Sequence, residues 1–426
     1  MTASARPPAF VRNADGILSV SGMSLLDIAA QHGAPLYVYS GDGIRSDYQR
    51  FADAVAPAGG AVHFALKSNS ALGVIALLAR AGAGADIVSG GEMARALSAG
   101  IPAEKIVFSG VGKSAQEIAD ALDAGIGQLN AESPQEVEAI SQIAAARGVR
   151  APVALRVNVD VAPDTHAKIS TGQRSTKFGV STSQNEAANL YRRMAADPHI
   201  APAGLAVHIG SQITSLDPFE RAYSALLAFG AALRDEGLDV PGLDLGGGIG
   251  VDYDDGTPCD FAAYGALISR LFADSGFKLG FEPGRSIMAN NGVLLTQVIY
   301  VKDGDNKRFV IVDAAMNDLL RPTLYEAHHT IQAVGDYGAD IGPADVVGPV
   351  CETGDYLGQD RMMPSLDAGD TLAVMSAGAY GAVMSSSYNT RPPAGEVMVL
   401  DGACHLLRRQ RTVSELLAEE SIPALD

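Results

Sequence analysis

From residue 60 to residue 282, short apolar runs alternate with longer stretches in which apolar positions recur every three or four residues. The runs are AVHFAL (61–66), GADIVS (84–89), KIVFSG (105–110), GQLNAE (127–132), VALRVNV (153–159), GLAVHIG (204–210), LDLGG (243–247) and KLGFE (278–282). Their length and apolar content predict buried parallel strands. The segments between them, such as LGVIALLARAG, SAQEIADALDAG and SPQEVEAISQIAAARG, have a helical period. Ser114 and Ser133 each precede a Glu by three residues, Glu117 and Glu136, the spacing of a capping box. Gly82, Gly100, Gly125 and Gly148 stand where helices should close. Eight strands in alternation with helices predict an α/β fold built on a (β/α)8 TIM barrel. A doubly wound sheet is the structural alternative, and it is disfavoured because no GxGxxG follows the first strand.

Beyond residue 290 the pattern changes. VLLTQVIYV, RFVIVD, TIQAVG, TLAVMS and EVMVLD are β-type runs between Gly, Asp and Pro turns, which predicts a mostly-β C-terminal domain. ILSVSG and PLYVYS, before the barrel, are strand-like as well and are expected to complete that domain from the other end of the chain. The expected division is 1–38 for N-terminal strands joining the β domain, 39–290 for the barrel, and 291–426 for the β domain with substrate-binding and dimer residues. A chain of 426 residues is long enough to require two cores.

Charge narrows the partners. Lys and Arg total 31 against 49 Asp and Glu, a formal net charge of -18. Such a surface repels phosphate backbones and anionic lipid, so neither nucleic acid nor a membrane is the expected partner. Three scattered cysteines are too few for a disulfide framework, and no apolar stretch is long enough to cross a bilayer. A cytoplasmic location is the expectation.

In a barrel the chemistry gathers where the strands end. There the chain places Lys67, Asp86 with Ser89, Asn130 with Glu132, Arg156 with Asn158, His208 with Ser211, Gly246 to Gly250, and Glu282 to Arg285. Lys67 taken alone is either an amine nucleophile or a strand-end lysine reaching for water. GGGIG (246–250) follows the seventh strand, where barrels of this class hold phosphate, and Gly284 in EPGR adds another small residue after the eighth. Glu282 at the mouth needs a partner. A lysine, a phosphate nest and a carboxylate for a pyridine nitrogen are the groups that pyridoxal phosphate requires.

The ordered motifs HFALKSN, GADIVSGGE, ISTG, KFGV, HIGSQ, GGGIG and EPGR resemble those of the fold-type III pyridoxal-phosphate decarboxylases. RPTLYEAHH (321–329), GPVCETGD (348–355), GAYG (378–381) and MSSSYNTRP (384–392) are similar to the diaminopimelate decarboxylases among them. The resemblance runs from about residue 20 to residue 410. It implies that Lys67 carries pyridoxal 5'-phosphate through its amine, that His208 stacks on the cofactor ring and that Glu282 pairs with its nitrogen. It implies a phosphate site made by Ser211, Gly246, Gly247, Gly248, Gly284 and Tyr380, with Asp86 near Lys67 or His208. For a substrate such as meso-diaminopimelate it implies carboxylate binding by Arg285, Arg321, Tyr325 and Tyr380, and an ammonium acceptor in Glu352. Cys351 would return a proton to the carbon that loses CO2, and the family pattern implies a homodimer with shared active sites. His166, in the DTHAKISTG segment, resembles part of a lid over 163–180. His328 and His329 are not expected to bind metal, since neighbouring residues of a helix face different ways. A lysine or ornithine decarboxylase, an alanine-racemase-like enzyme and a non-catalytic homologue are the competing readings.

Overall fold

The computed structural model describes residues 8–161, 177–254 and 259–425. The chain divides into two compact units. Arg45–Gly250 and Cys259–Ser286 form one, and the residues up to Ile44, a short piece beginning at Val251 and everything from Ile287 form the other.

The first unit is the barrel. Its strands are β1 (Gly60–Ala65), β2 (Gly84–Ile87), β3 (Ile106–Phe108), β4 (Gln128–Ala131), β5 (Ala151–Asn158), β6 (Ile200–Ala206), β7 (Gly242–Asp244) and β8 (Lys278–Phe281). Each pairs in parallel with the next, and β8 returns to β1 through Leu279 opposite Gly60, which closes the sheet. The helical segments end as their caps direct. Ser114 and Glu117 form a complete capping box, and Gly125 and Gly148 take left-handed C-caps. At Ser133 only half of the expected box forms. The Glu136 carboxylate turns instead to the Glu132 N–H at 2.8 Å and to Lys113 Nζ at 2.6 Å. Lys113 also donates to the carbonyls of Gly110 and Asn130, which knots the loops after β3 and β4 together.

The second unit is mostly β. PLYVYS becomes the strand Leu36–Ser40, which lies antiparallel to Gly292–Asp303 and parallel to Gly395–Leu400, so the N-terminal chain supplies an interior strand. ILSVSG contributes Leu18–Val20 to a separate three-stranded sheet with Phe10–Arg12 and Met23–Ser24. That small sheet joins the same apolar core, with Leu18 and Val20 packed among Leu36, Val38, Val293, Leu295 and Val397. Beyond residue 290, three strands lie outside the sequence expectation: Asp340–Val347, Tyr356–Pro364 and Ala403–Arg408. The first carries Gly342 and Pro343, and its pairing with Tyr356–Pro364 shifts register three times. Pro343 is tolerated because pairing with Arg308–Val312 begins only at Asp345, leaving one side of the strand open at the proline.

Candidate active site

Lys67 sits in a single turn of 3-10 helix, Leu66–Ser68, that follows β1 directly. Two bonds fix that turn: Ser68 Oγ donates to the Ala65 carbonyl at 2.8 Å, and the Ala65 N–H donates to the Pro283 carbonyl at 3.1 Å. The Lys67 ammonium pairs with Asp86 Oδ2 at the end of β2. The Asp86 side chain is fully buried, and its second oxygen, Oδ1, has no hydrogen-bond partner among the described residues. A buried carboxylate oxygen without a donor costs on the order of 1–3 kcal/mol, so this position is built to receive one.

His208 follows β6. Its Nδ1 accepts the Gly247 N–H at 3.2 Å, which leaves the ring proton on Nε2. Burial, then the charges of Arg156 and Lys67, hold its pKa well below the ordinary histidine value. The ring is therefore a neutral, flat surface at working pH.

Glu282 directly follows β8 and is buried. Burial first, and then the carboxylates of Asp244 and Asp86, raise its pKa well above the usual carboxylate range, against the pull of Lys67. Ser109 Oγ lies 3.3 Å from Glu282 Oε1, and Asn130 bridges from Ser109 at 3.1 Å to Asp244 at 3.3 Å. Asp244 also receives the Gly246 N–H at 3.0 Å and the Gln128 amide at 3.3 Å. Three N–H donors thus converge on Asp244, and burial beside these carboxylates favours the protonated form of Glu282.

The glycine turn is set by close backbone approach. Gly246 has φ +66, and a Cβ there would lie 2.4 Å from the Val207 carbonyl oxygen; one at Gly247 would lie 2.2 Å from that of Glu282. The expected phosphate nest is narrower than the motif suggests, because Gly246 and Gly247 already direct their N–H groups to Asp244 and His208. Of the three, Gly248 alone lacks an acceptor for its N–H among the described residues. Gly284 packs with its Cβ position 2.9 Å from the Ser68 side chain, so it joins the end of β8 to the lysine turn. Ser211 Oγ accepts from Arg285 Nη2 at 3.1 Å, which places these two expected site residues side by side.

Beside this cluster, Arg156 pairs with Glu132 at 2.9 Å, and its guanidinium lies 4.8 Å from the Phe178 ring. The Gly179 N–H donates to Glu132 Oε2 at 3.1 Å. Asn130, Glu132 and Arg156 are legible as strand-end polar residues, without a role; Ser109 and Asp244 are not. The signal at Asp244 was a lone acid between Leu243 and Leu245 in a strand otherwise read as apolar.

The other expected residues belong to the β unit. Arg321 and Tyr325 occupy the first and last positions of the helix Arg321–Tyr325, four residues apart and so on one face. Arg321 is buried and Tyr325 half-buried. Cys351 and Glu352 are exposed; the Cys351 N–H donates to Asn389 Oδ1 at 3.2 Å, and the charge of Glu352 raises the pKa of Tyr388. Tyr380 adopts φ +56, an uncommon conformation for a residue with a side chain. His328 and His329 follow the helix rather than lie on it. His328 is exposed and meets Asp254 at 3.2 Å, whereas His329 is fully buried. His166, ISTG and most of the lid expected over 163–180 lie outside the described residues. Among the described residues, no His, Cys, Asp and Glu cluster is suited to a metal, and no helix is long and apolar enough to cross a membrane.

A closed barrel with a lysine, a neutral histidine and a protonated acid at its strand ends defines a class. The model of the pyridoxal-dependent decarboxylases, pyridoxal binding domain, matches residues 42–289. The diaminopimelate decarboxylase of Zymomonas mobilis is 48% identical over 411 residues, covering 95% of this chain and 97% of that protein. That of Pseudomonas aeruginosa is 49% identical, covering 96% and 98%. The crystal structure of the Helicobacter pylori diaminopimelate decarboxylase complexed with L-lysine superimposes with a TM-score of 0.89 at 39% identity, covering 92% of this chain and 98% of that one. The chain belongs to the diaminopimelate decarboxylase family of pyridoxal-dependent decarboxylases.

Proposed function

We propose that this protein decarboxylates meso-2,6-diaminopimelate to L-lysine and CO2, the last step of lysine biosynthesis, with pyridoxal 5'-phosphate at the barrel mouth. The observation that carries this reading is Lys67 held against buried Asp86, with Lys67 just past the end of β1 and Glu282, whose pKa burial raises, just past the adjacent β8, in a chain of this family. When bound, the cofactor supplies the electron sink for the pair of electrons left behind by CO2.

The residues present fit that group. Asp86 orients the Lys67 amine that attaches it, and Glu282 is an acid whose buried carboxylate form becomes favourable once a cationic ring nitrogen stands beside it. His208, neutral and fixed by Gly247, is the flat partner for an aromatic ring. The N–H of Gly248, together with Ser211, Gly284 and Tyr380, would hold the phosphate, while Gly246 and Gly247 shape the turn and fix Asp244 and His208. Arg285, Arg321, Tyr325 and Tyr380 would receive substrate carboxylates, and Glu352 the distal ammonium. Two arginines suit a substrate with a second amino-acid head better than they suit a diamine precursor. The Cys351 thiol would deliver the proton to the carbon that loses CO2. Because Cys351 and Glu352 are exposed in a single chain, we assign their loop to the active site of a second copy, in a cytoplasmic homodimer.

The test is purified protein with pyridoxal 5'-phosphate and meso-diaminopimelate, assayed for L-lysine and CO2. A visible absorption band from the bound cofactor should be present and should be lost in Lys67→Ala. Faster CO2 release from lysine or ornithine than from meso-diaminopimelate would overturn the substrate assignment.

A further inference from the structure

Arg321 is nearly inaccessible, at 5% exposure, and its guanidinium is gripped by two rings of its own unit. Its Nη1 lies 2.8 Å from His329 Nε2, and His329 Nδ1 lies 2.8 Å from the Met375 carbonyl oxygen. A guanidinium can only donate and a carbonyl can only accept. One state of His329 satisfies both: the neutral ring with its proton on Nδ1 and its lone pair on Nε2 turned to the arginine. Tyr253 closes the third side, its ring centre 4.4 Å from the Arg321 guanidinium carbon and 5.2 Å from the His329 ring, edge to face at 76°. The cation is thus fixed both in its plane and on one face.

The choice of acceptor matters. A carboxylate at position 329 would hold the guanidinium as well, but it would also cancel its charge. A buried neutral imidazole orients the cation without adding a countercharge of its own. We propose that His329 is a positioning residue that presets Arg321, with Tyr253, for two-point recognition of a substrate carboxylate. This inference rests on the assignment of Arg321 to substrate binding made above.

Two isosteric variants separate positioning from packing. In His329→Gln the side-chain oxygen can stand near the place of Nε2 and still accept from Arg321. In His329→Asn the amide can stand near the place of Nδ1 and still donate to Met375, but the shorter side chain no longer reaches the guanidinium. The expected result with holoenzyme is that His329→Asn raises KM for meso-diaminopimelate about tenfold, the scale of one lost hydrogen bond to a charged group, with kcat within about twofold. By calorimetry, L-lysine, which keeps a carboxylate, should bind about tenfold more weakly, and 1,5-diaminopentane, which has none, should bind as to wild type. His329→Gln should stay near wild type in all three. Equal behaviour of the two variants, or equal weakening of L-lysine and the diamine, overturns the proposal. Should His329→Asn fail to fold, Tyr253→Leu carries the same expectation for L-lysine against the diamine. Wild-type holoenzyme that neither turns over meso-diaminopimelate nor binds L-lysine sinks the functional reading itself, and the role of His329 with it.

Discussion

Replacing Arg156 with Met should be among the most destabilising single changes at the barrel mouth. Arg156 and Glu132 have side-chain exposures of 10% and 2%, with 2.9 Å between their charged atoms. Methionine keeps most of the arginine stem and its packing against Phe178, so the loss is chiefly electrostatic. Without the arginine, Glu132 keeps the Gly179 N–H but loses the countercharge it has among the described residues. Breaking one side of a buried pair costs about 3–5 kcal/mol. The double variant Glu132→Gln, Arg156→Met removes both charges and retains an acceptor for Gly179, so it should recover at least half of that loss. Urea unfolding followed by far-UV circular dichroism measures this, with tyrosine emission as a second probe because the chain has 13 Tyr and no Trp. The arginine has a second effect, since its charge helps to depress the His208 pKa. In wild type, folded His208 binds fewer protons than the unfolded residue, so its contribution to stability declines as pH falls through the ordinary histidine value, near 6.5. In Arg156→Met that decline should be shallower, although burial, the larger cause, remains. If the single and double variants lose the same stability, the cost does not come from a stranded carboxylate and the reasoning fails.

Two further outcomes follow from single groups. Burial raises Asp318 to a pKa of about 6, although its carboxylate accepts the N–H groups of Ala315 and Ala394. The folded state therefore binds the proton more tightly, and this site's stabilisation, present at low pH, should be lost as pH rises from about 4 to about 6, a change of about 3 kcal/mol. In Asp318→Asn that slope should vanish from the difference between variant and wild-type urea midpoints; an unchanged slope would refute the assignment. Cys351→Ala should slow CO2 release about 100-fold or more, the scale of lost general-acid catalysis. L-lysine binding should be unaffected, and a wild-type rate would remove Cys351 from the proton-donor role.

The barrel was legible because its strands are buried on both faces and therefore appear as unbroken apolar runs, while its helices carry caps such as Ser114 and Gly125. The β unit was less so. Half-exposed strands such as Tyr356–Pro364 mix Gln, Asp and Arg with Met, and bulges break the alternation that would mark them. At the site, residue identity pointed to Lys67, His208 and Glu282, but partnership did not follow from it. Nothing in HH at 328–329 says that one ring faces Asp254 and the other fixes Arg321. Such pairings depend on the direction in which the chain leaves the preceding helix, and that is a tertiary property.

The glycine turn shows most clearly how fold and chemistry share the same atoms. As a motif it suggests open amides for a phosphate, yet two of its three N–H groups are spent inside the barrel. One meets Asp244 and, with the amides of Asn130 and Gln128, fixes that carboxylate beside the buried Glu282. The next meets His208 Nδ1 and so selects the neutral ring. A side chain at either position would collide with a neighbouring carbonyl at 2.4 or 2.2 Å, turn the peptide and release both constraints together. The tautomer of His208 and the placing of Asp244 are therefore consequences of backbone geometry after β7. Lys67, to which we assign the covalent role, depends on a turn whose neighbour Ala65 is hydrogen-bonded to Pro283, next to Glu282. The roles proposed for Lys67, His208 and Glu282 thus all depend on how closely the ends of β1, β6, β7 and β8 approach one another.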